Sequence, residues 1–553
     1  MYRKEFLLGG VGLLGSAACG DDTVGSDGSG AGAGATAGAT STATGVTTTG
    51  GSTQTGTPPG LAIDLQVSHL DPSGEVQRVA VSSGVTSITV VAPAYVYFDA
   101  SESRSEAPDA SDKAGALLNL GFEWDSGDPV DGNDWSWGGP RGPVQKGRGR
   151  FTAREAHYYS NPGTYTMQLR VRDSAGREGS VSLTVEVLDP LTELTRVDLS
   201  ADMGQWPSLA SHHVYTLSGD LTGWGDLDLT GLVNVVFIPH PDSPAAPTLS
   251  GVTLDRRTEG ALGETITRPR GIRFDGVDCG SVRWGMTGFD WCAFGNGRVS
   301  SIDAAFAQAY VWSQAVVNGL GAEVANNIRF PIGLLLWNTG ECGGSGSPYV
   351  LFSPGITKAA YYGVDFHKSD GGGGGQVFRG RWRQSIFRHC RFRNTGPSTG
   401  YGRFEGGECR EANGGVPDPW RDDGRVGDYD GGYLYGYAAE DNDITSCVMG
   451  ADGASVPVAG FGAGPENNLP DFPNQGQRYC YYENIAVHGD VLGTSLNAAA
   501  FGGGLWVGAR HVRFGDGTSV DIDISPNTER LPPGENGPYI EEETSSRPEP
   551  TPL

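Results

Sequence analysis

Basic residues are scarce in this chain: 39 Lys and Arg stand against 65 Asp and Glu, giving a formal charge of −26 and a pI near 4.7. Neutralising phosphates requires a concentrated basic face, so nucleic-acid binding is excluded. Charged residues of either sign make up only 19% of the 553 residues. No apolar run reaches the ~20 residues of a membrane span, which excludes an integral membrane helix. There are eight cysteines but no CxxC pair, so structural zinc is excluded as well. What is abundant is glycine. At 88 residues it is about 16% of the chain, roughly twice the usual ~7%. Such a chain is rich in turns and poor in long helices, and its length leaves room for a sizeable core in several domains.

Residues 1–19 read as a secretory signal: Arg3 and Lys4, an apolar stretch from Phe6 to Leu14, then small residues ending at Cys19. Ser16-Ala17-Ala18-Cys19 resembles a bacterial lipobox, although Leu or Val is commoner where Ser16 stands; the resemblance implies lipidation of Cys19. Arg3-Lys4-Glu5-Phe6-Leu7-Leu8 also resembles a twin-arginine export signal with Lys in place of the second Arg. Residues 20–60 are almost wholly Gly, Ser, Thr and Ala. They cannot bury enough apolar surface to offset their ordering entropy, and are expected to form a flexible tether. Residues 526–553 are Pro- and Glu-rich and carry the same expectation.

Between 61 and 190, apolar and polar residues alternate. Tyr165, Met167, Leu169 and Val171 share one face, and Val181, Leu183, Val185 and Val187 repeat the pattern after a turn-rich stretch. Period two predicts a half-buried antiparallel pair. The segments Val96-Tyr97-Phe98-Asp99-Ala100-Ser101, Phe122-Glu123-Trp124-Asp125-Ser126-Gly127-Asp128, His157-Tyr158-Tyr159 and Gly163-Thr164-Tyr165 resemble a PKD (polycystic-kidney-disease) domain. An insertion at 129–150 replaces the family's usual second Gly-Asp-Gly step. The resemblance implies an immunoglobulin-like β-sandwich used as a spacer or adhesive module, with Trp124 as a core residue.

From 191 to 525 a six-residue phrase recurs: apolar, any, turn residue, apolar, any, apolar. It begins at Leu232, Phe274, Ala325, Tyr361, Phe387, Ile444, Tyr482 and Ala509, at intervals of 42, 51, 36, 26, 57, 38 and 27 residues. Its third slot (Asn234, Gly276, Asn327, Gly363, His389, Ser446, Asn484, His511) favours residues that tolerate sharp bends. The phrase reads as strand, corner, strand, with apolar slots inward and coils stacked ~4.8 Å apart. The expected fold is all-β: a sandwich followed by a right-handed parallel β-helix, resembling the pectate-lyase-like family in coil pattern. Further sandwiches or a propeller are the rivals, but a propeller calls for even intervals of ~40 to 50. Residues 301–320 fit either a coil or a short helix.

With Cys19 assigned to lipid, seven cysteines remain. Cys279, Cys390 and Cys447 occupy inward slots as apolar filler, whereas Cys292, Cys342, Cys409 and Cys480 read as nearer loops, open to disulfide formation in an oxidising envelope.

Inserts between coils are where a solenoid builds binding surface. Arg379, Arg381 and Arg383 alternate on one strand, and Arg391 and Arg393 extend the basic stripe. Forked guanidiniums suit the carboxylates of uronic-acid polymers or sulfated glycans; the competing reading is a solvated strand face paired with acids of adjoining coils. The 394–443 insertion brings Trp420 for sugar stacking, Asp422 and Asp423 as candidate catalytic carboxylates with Arg381, and Asp428 and Asp430 as candidate Ca²⁺ ligands. Asp422-Asp423 and His488-Gly489 resemble fragments of β-helix polygalacturonases, but the accompanying Gly-His-Gly and Arg-x-Lys signatures are missing. His389 and His511 fall in corner slots, where a structural role is expected. Two functions fit: an envelope lipoprotein that binds or adheres to extracellular polysaccharide, or a lyase or hydrolase acting on acidic glycans. Membrane association is expected through the lipid anchor alone.

Overall fold

A computed structural model describes residues 58–81, 84–129, 152–256, 267–284, 288–303, 332–344, 349–368, 376–388 and 390–394, together with strands at 438–440, 443–445, 448–449, 476–478, 480–483, 486–487, 507–514 and 519–523. The leader with Cys19, the tether to residue 57, the 394–443 insertion from 395 to 437, and the C-terminal tail lie outside the described residues. The described chain is all-β, and no helix in it is long and apolar enough to cross a membrane.

The expected pair of alternating strands forms. Gly163–Arg172 and Glu178–Leu188 are antiparallel, with Tyr165 opposite Val185, Met167 opposite Leu183 and Leu169 opposite Val181. Ser87–Val91 and Gly121–Asp125 complete this back sheet, Ser87–Val91 running parallel to its neighbour. A front sheet of four antiparallel strands, in the order Val76–Ala80, Gln66–Leu70, Ala94–Asp99 and Arg154–Tyr159, lies against it. The two sheets share one core containing Val96, Phe98, Trp124, Leu169 and Leu183. Trp124 is buried there, its Nε1 donating to the Thr152 carbonyl at 2.8 Å.

From Thr195 onward, 22 strands pair in sequence order. All pairings are parallel except the last, where Ser519–Asp523 runs antiparallel to Val507–Phe514 and covers the final edge. Three stacks are traceable, and together they make a parallel β-helix. In the first stack one register ladder runs Tyr215, Phe237, Phe274, Phe294, Leu336, Tyr361, Phe387, Ile444, Tyr482, Ala509, and its members from Tyr215 to Phe387 lie in the core. The rings of Tyr215, Phe237, Phe274 and Phe294 stack face to face, with centroids 5.2, 4.6 and 5.0 Å apart. A second stack follows at the next corner, joining Cys279 to Val299 and Cys342 to Phe366 to Phe392 to Met449 to Val487 to Phe514. A third contains Tyr349–Thr357 paired with Gln376–Arg383, then Ala438–Glu440 and Gly476–Arg478.

Six of the eight phrases therefore start on one ladder. The copy at Leu232 is out of phase, with Phe237 rather than Leu232 joining it. The physical reason is that both corners of the first stack are left-handed. Asn234 (φ 55°), Gly271, Trp291, Gly333, Lys358 and Gln384 form one column before the strand; Gly276, Asn296, Asn338 and Gly363 form another after it. An apolar-turn-apolar phrase fits either corner. The copy at Ala325 lies outside the described residues. Two coils escaped the pattern: in one Gly297 holds an apolar slot because a Cβ there would run into the Val277 carbonyl, and in the other a register shift between Trp337 and Gly340 adds a residue.

The sandwich is not held away from the helix. Its front sheet turns Leu70, Tyr95, Tyr97, Ala156 and Tyr158 onto the outside of the first stack, where they pack with Trp291, Ala293, Leu335, Trp337, Ala360, Tyr362 and Ile386. The ring of Tyr95 stacks on Trp291 at 4.8 Å, and Trp291 Nε1 donates to the Tyr95 carbonyl at 2.9 Å. The hydroxyls of Tyr95, Tyr97 and Tyr158 donate to the carbonyls of Lys358, Gln384 and Phe274 at 2.7, 2.6 and 3.0 Å. Gly295 leaves the space that the Tyr158 ring fills. Arg273, buried and pushed down to about 10 by desolvation, donates to the Val91 carbonyl at 2.6 Å and to Asn234 Oδ1. At the far edge Glu155 accepts from both Arg388 and Tyr362, while Arg388 also donates to Thr152 Oγ1 at 2.9 Å.

Two predictions follow from this contact. Removing one member of a buried ion pair strands the other charge, so Glu155→Gln and Arg388→Met each lower stability by about 3–5 kcal/mol, and the double variant loses much less than the sum. Denaturant midpoints with unchanged slope measure this; additive losses would show that the pair does not interact. The second concerns pH. Burial pushes Asp275 up to about 6 despite hydrogen bonds with Asn296 and Tyr158, and pushes His69 down to about 4. Asp275 thus binds more protons folded than unfolded, and its penalty grows as pH rises from ~4 to ~6. His69 binds fewer protons folded, so its contribution falls as pH drops from ~6.5 to ~4. The two slopes oppose. Asp275→Asn removes one, raising stability at pH 7 by up to about 3 kcal/mol and making the loss on acidification to pH 4.5 steeper than in the native chain. Denaturation at pH 7 and 4.5 reads both effects.

Candidate functional site

With the outside of the first stack covered from Val214 to Arg388, exposed polar side chains are found at the N-terminal end of the second stack, at Asp226, Asp228 and Arg256. In the second stack Leu227, Val252, Val282 and Ile302 point into the core on successive coils. The neighbouring register positions are Gly251, Ser281, Ser301 and Gly343, a floor of small residues running along the helix axis. Beside it run Asp228, Thr253, Arg283 and Asp303. At the N-terminal end of this floor, Asp226 accepts from Ser250 Oγ at 3.4 Å and pairs with Arg283 at 3.3 Å, both members of the pair about 40% exposed. Asp228 pairs with Arg256 at 3.1 Å, and the Arg256 amide donates to Thr230 Oγ1 at 2.9 Å. Exposed pairs of this kind contribute about 0–1 kcal/mol each, so they can exchange partners with a polar ligand at little cost.

The arginine stripe is divided. Arg379, Arg381 and Arg383 belong to Gln376–Arg383 in the third stack, opposite Phe352, Gly355 and Thr357. Arg391 and Arg393 belong to Arg391–Asn394 in the second stack, opposite Asp365 and His367. The strand Ile386–Arg388 and the bend at Gln384 intervene, so the five do not share one sheet face. In register, Arg383 stands next to Glu440 on the following coil and Arg391 next to Asp365 on the preceding one. Trp420, Asp422, Asp423, Asp428 and Asp430 lie outside the described residues. Among the described residues no group of three or more His, Cys, Asp or Glu is placed to hold a metal ion.

Cys279 and Cys390 are buried, as their inward slots imply. The loop placement of Cys292 and Cys342 is corrected: both lie on strands and are buried, because strand phase turns them into the core. Burial pushes the Cys279 and Cys292 thiols up, which keeps them protonated and inert. Asp226, Asp228 and Arg283 were not found from sequence, since Arg283 lies two coils beyond the two carboxylates and only register brings them together.

No family model matches the chain, and no curated protein matches it. Among solved structures, a family 28 exopolygalacturonase of Yersinia enterocolitica aligns with 76% of this chain and 94% of its own, at 8% identity and a TM-score of 0.18. A score that low carries no argument, so the β-helix rests on the strand register described above.

Proposed function

We propose that this chain is an exported envelope lipoprotein, anchored through Cys19, whose right-handed β-helix binds extracellular polysaccharide along its uncovered second stack. The observation that carries the reading is the repetition on that face. Successive coils set a small residue (Gly251, Ser281, Ser301) in register beside a polar position (Thr253, Arg283, Asp303) at the ~4.8 Å spacing of parallel strands, and at the N-terminal end Asp226, Asp228, Arg256 and Arg283 reach the surface. A polymer of repeating sugar units is the ligand class that meets such a lattice, with hydroxyls exchanging into the exposed Asp226–Arg283 and Asp228–Arg256 pairs. The PKD-like sandwich acts as a buttress on the opposite flank rather than as a spacer, since its front face is buried. The arginines at 379–393 and the carboxylates at 422 and 423 support the competing reading, a lyase or hydrolase of acidic glycans.

The test is binding of the full chain to a panel of neutral and acidic polysaccharides, with and without Ca²⁺, while reducing ends and unsaturated uronate are followed. Retention without depolymerisation is expected, and Arg283→Ala weakens it by about 5- to 10-fold, or ~1–1.4 kcal/mol. Absence of binding across the panel overturns the proposal. Release of products that is abolished by Asp423→Ala replaces it with the enzymatic reading.

A further inference from the structure

At the N-terminal mouth of the helix the chain places two tryptophans where only one apolar plug is required. Trp206 follows the short turn Ala201–Met203, and Trp224 ends the turn at Thr222–Trp224 on the first coil. Their rings meet edge to face, with centroids 4.9 Å apart and planes at 80°. Both pack against the helix core with one side yet remain partly exposed. Trp206 Nε1 donates to the Gly225 carbonyl at 3.1 Å, in exposed surroundings, which fixes the ring without enclosing it. The chain around the pair is open: apart from each glycine's own chain neighbours, no heavy atom lies within 4 Å of where a Cβ on Gly204, Gly223 or Gly225 would stand. Two residues beyond Trp224 is Asp226, the first polar group of the small-residue floor, held by Ser250 and Arg283.

We infer that Trp206 and Trp224 form a stacking platform for one pyranose ring, at the end of the polysaccharide track on the second stack. A flat indole offers its face to the axial C–H groups of a sugar, and a neighbouring carboxylate accepts from its hydroxyls. Charge narrows the class of ring. Asp202, Asp220, Asp226 and Asp228 are all exposed at this end of the helix, while the guanidiniums of Arg283 and Arg256 pair with Asp226 and Asp228. A uronate carboxylate would meet repulsion here, so the ring taken by the platform is neutral and hydroxyl-rich. This inference rests on the polysaccharide reading and adds to it the location and chemistry of one subsite.

The experiment compares binding of a neutral hexasaccharide, cellohexaose or mannohexaose, with that of hexagalacturonate to the full chain by calorimetry. Trp206→Leu and Trp224→Leu keep apolar bulk over the core but remove the flat face. Neutral-hexasaccharide affinity is expected to fall at least 10-fold in each, and Trp→Phe recovers part of it. Gly223→Leu provides the second line: its side chain enters open space, leaves the thermal midpoint unchanged and blocks the ring, with a similar loss. If the native chain binds a hexasaccharide and the Leu variants bind it equally well, the platform is wrong while the polysaccharide reading stands. If only hexagalacturonate binds, and depends on the tryptophans, the neutral-ring assignment is overturned. If the native chain binds neither hexasaccharide and no polysaccharide, both fall.

Discussion

The structure depends on a tyrosine-lined sheet pressed against the outside of a β-helix. A solenoid coil whose corner residues take left-handed backbone is ordinarily built with Gly or Asn, because a bulky side chain there costs roughly 1–2 kcal/mol. In this chain Trp291, Lys358 and Gln384 hold such corners. These are the positions that the sandwich grips, by stacking Tyr95 on Trp291 and by accepting the Tyr95 and Tyr97 hydroxyls at the carbonyls of Lys358 and Gln384. The contact therefore does two things at once. It buries apolar surface on two sheets, and it brings hydroxyl donors to the carbonyls at the bends.

This arrangement allocates the faces of the helix. The covered first stack becomes interior, carrying Arg273 and the Glu155–Arg388 pair in surroundings where each charge is hydrogen-bonded. The second stack keeps its small floor and exchangeable ion pairs at the surface. On the proposed reading, polysaccharide is thereby directed to one side of the solenoid by a domain whose sequence resembles a spacer.

Much of the fold was legible in residues. The alternation from Tyr165 to Val187 gave the sandwich pair in its observed register, and the recurring hexapeptide gave the coil ladder from Phe274 to Ala509, because side-chain period and corner chemistry are local properties. The domain contact was also written in the chain, though less visibly. Ala94–Asp99 is apolar on both faces, which a half-exposed strand is not. Positions of the first stack that face the sandwich are apolar at Val236, Leu335, Trp337, Tyr362 and Ile386, and the residues in register with this face on later coils are mostly polar: Asp443, Thr445, Tyr481, Glu483 and Arg510. That switch can be read only once the register is known. The candidate site was less accessible for the same reason: Asp226, Gly251, Ser281 and Arg283 make no motif in sequence, and the arginines that look contiguous from 379 to 393 are separated by two corners.

Lys358 reports most directly on the central claim. It sits on the outside of the helix, at a position that solvent would reach were the sandwich elsewhere, yet it is only 5% exposed, and its ammonium lies 3.4 Å from Ser68 Oγ on the front sheet. Acylation of the native chain, with the modified lysines quantified by mass spectrometry, should leave Lys358 protected until the protein unfolds globally. Reaction of Lys358 at the rate of the denatured chain under native conditions would show that the sandwich does not dock there, and the allocation of faces built on that contact would be wrong.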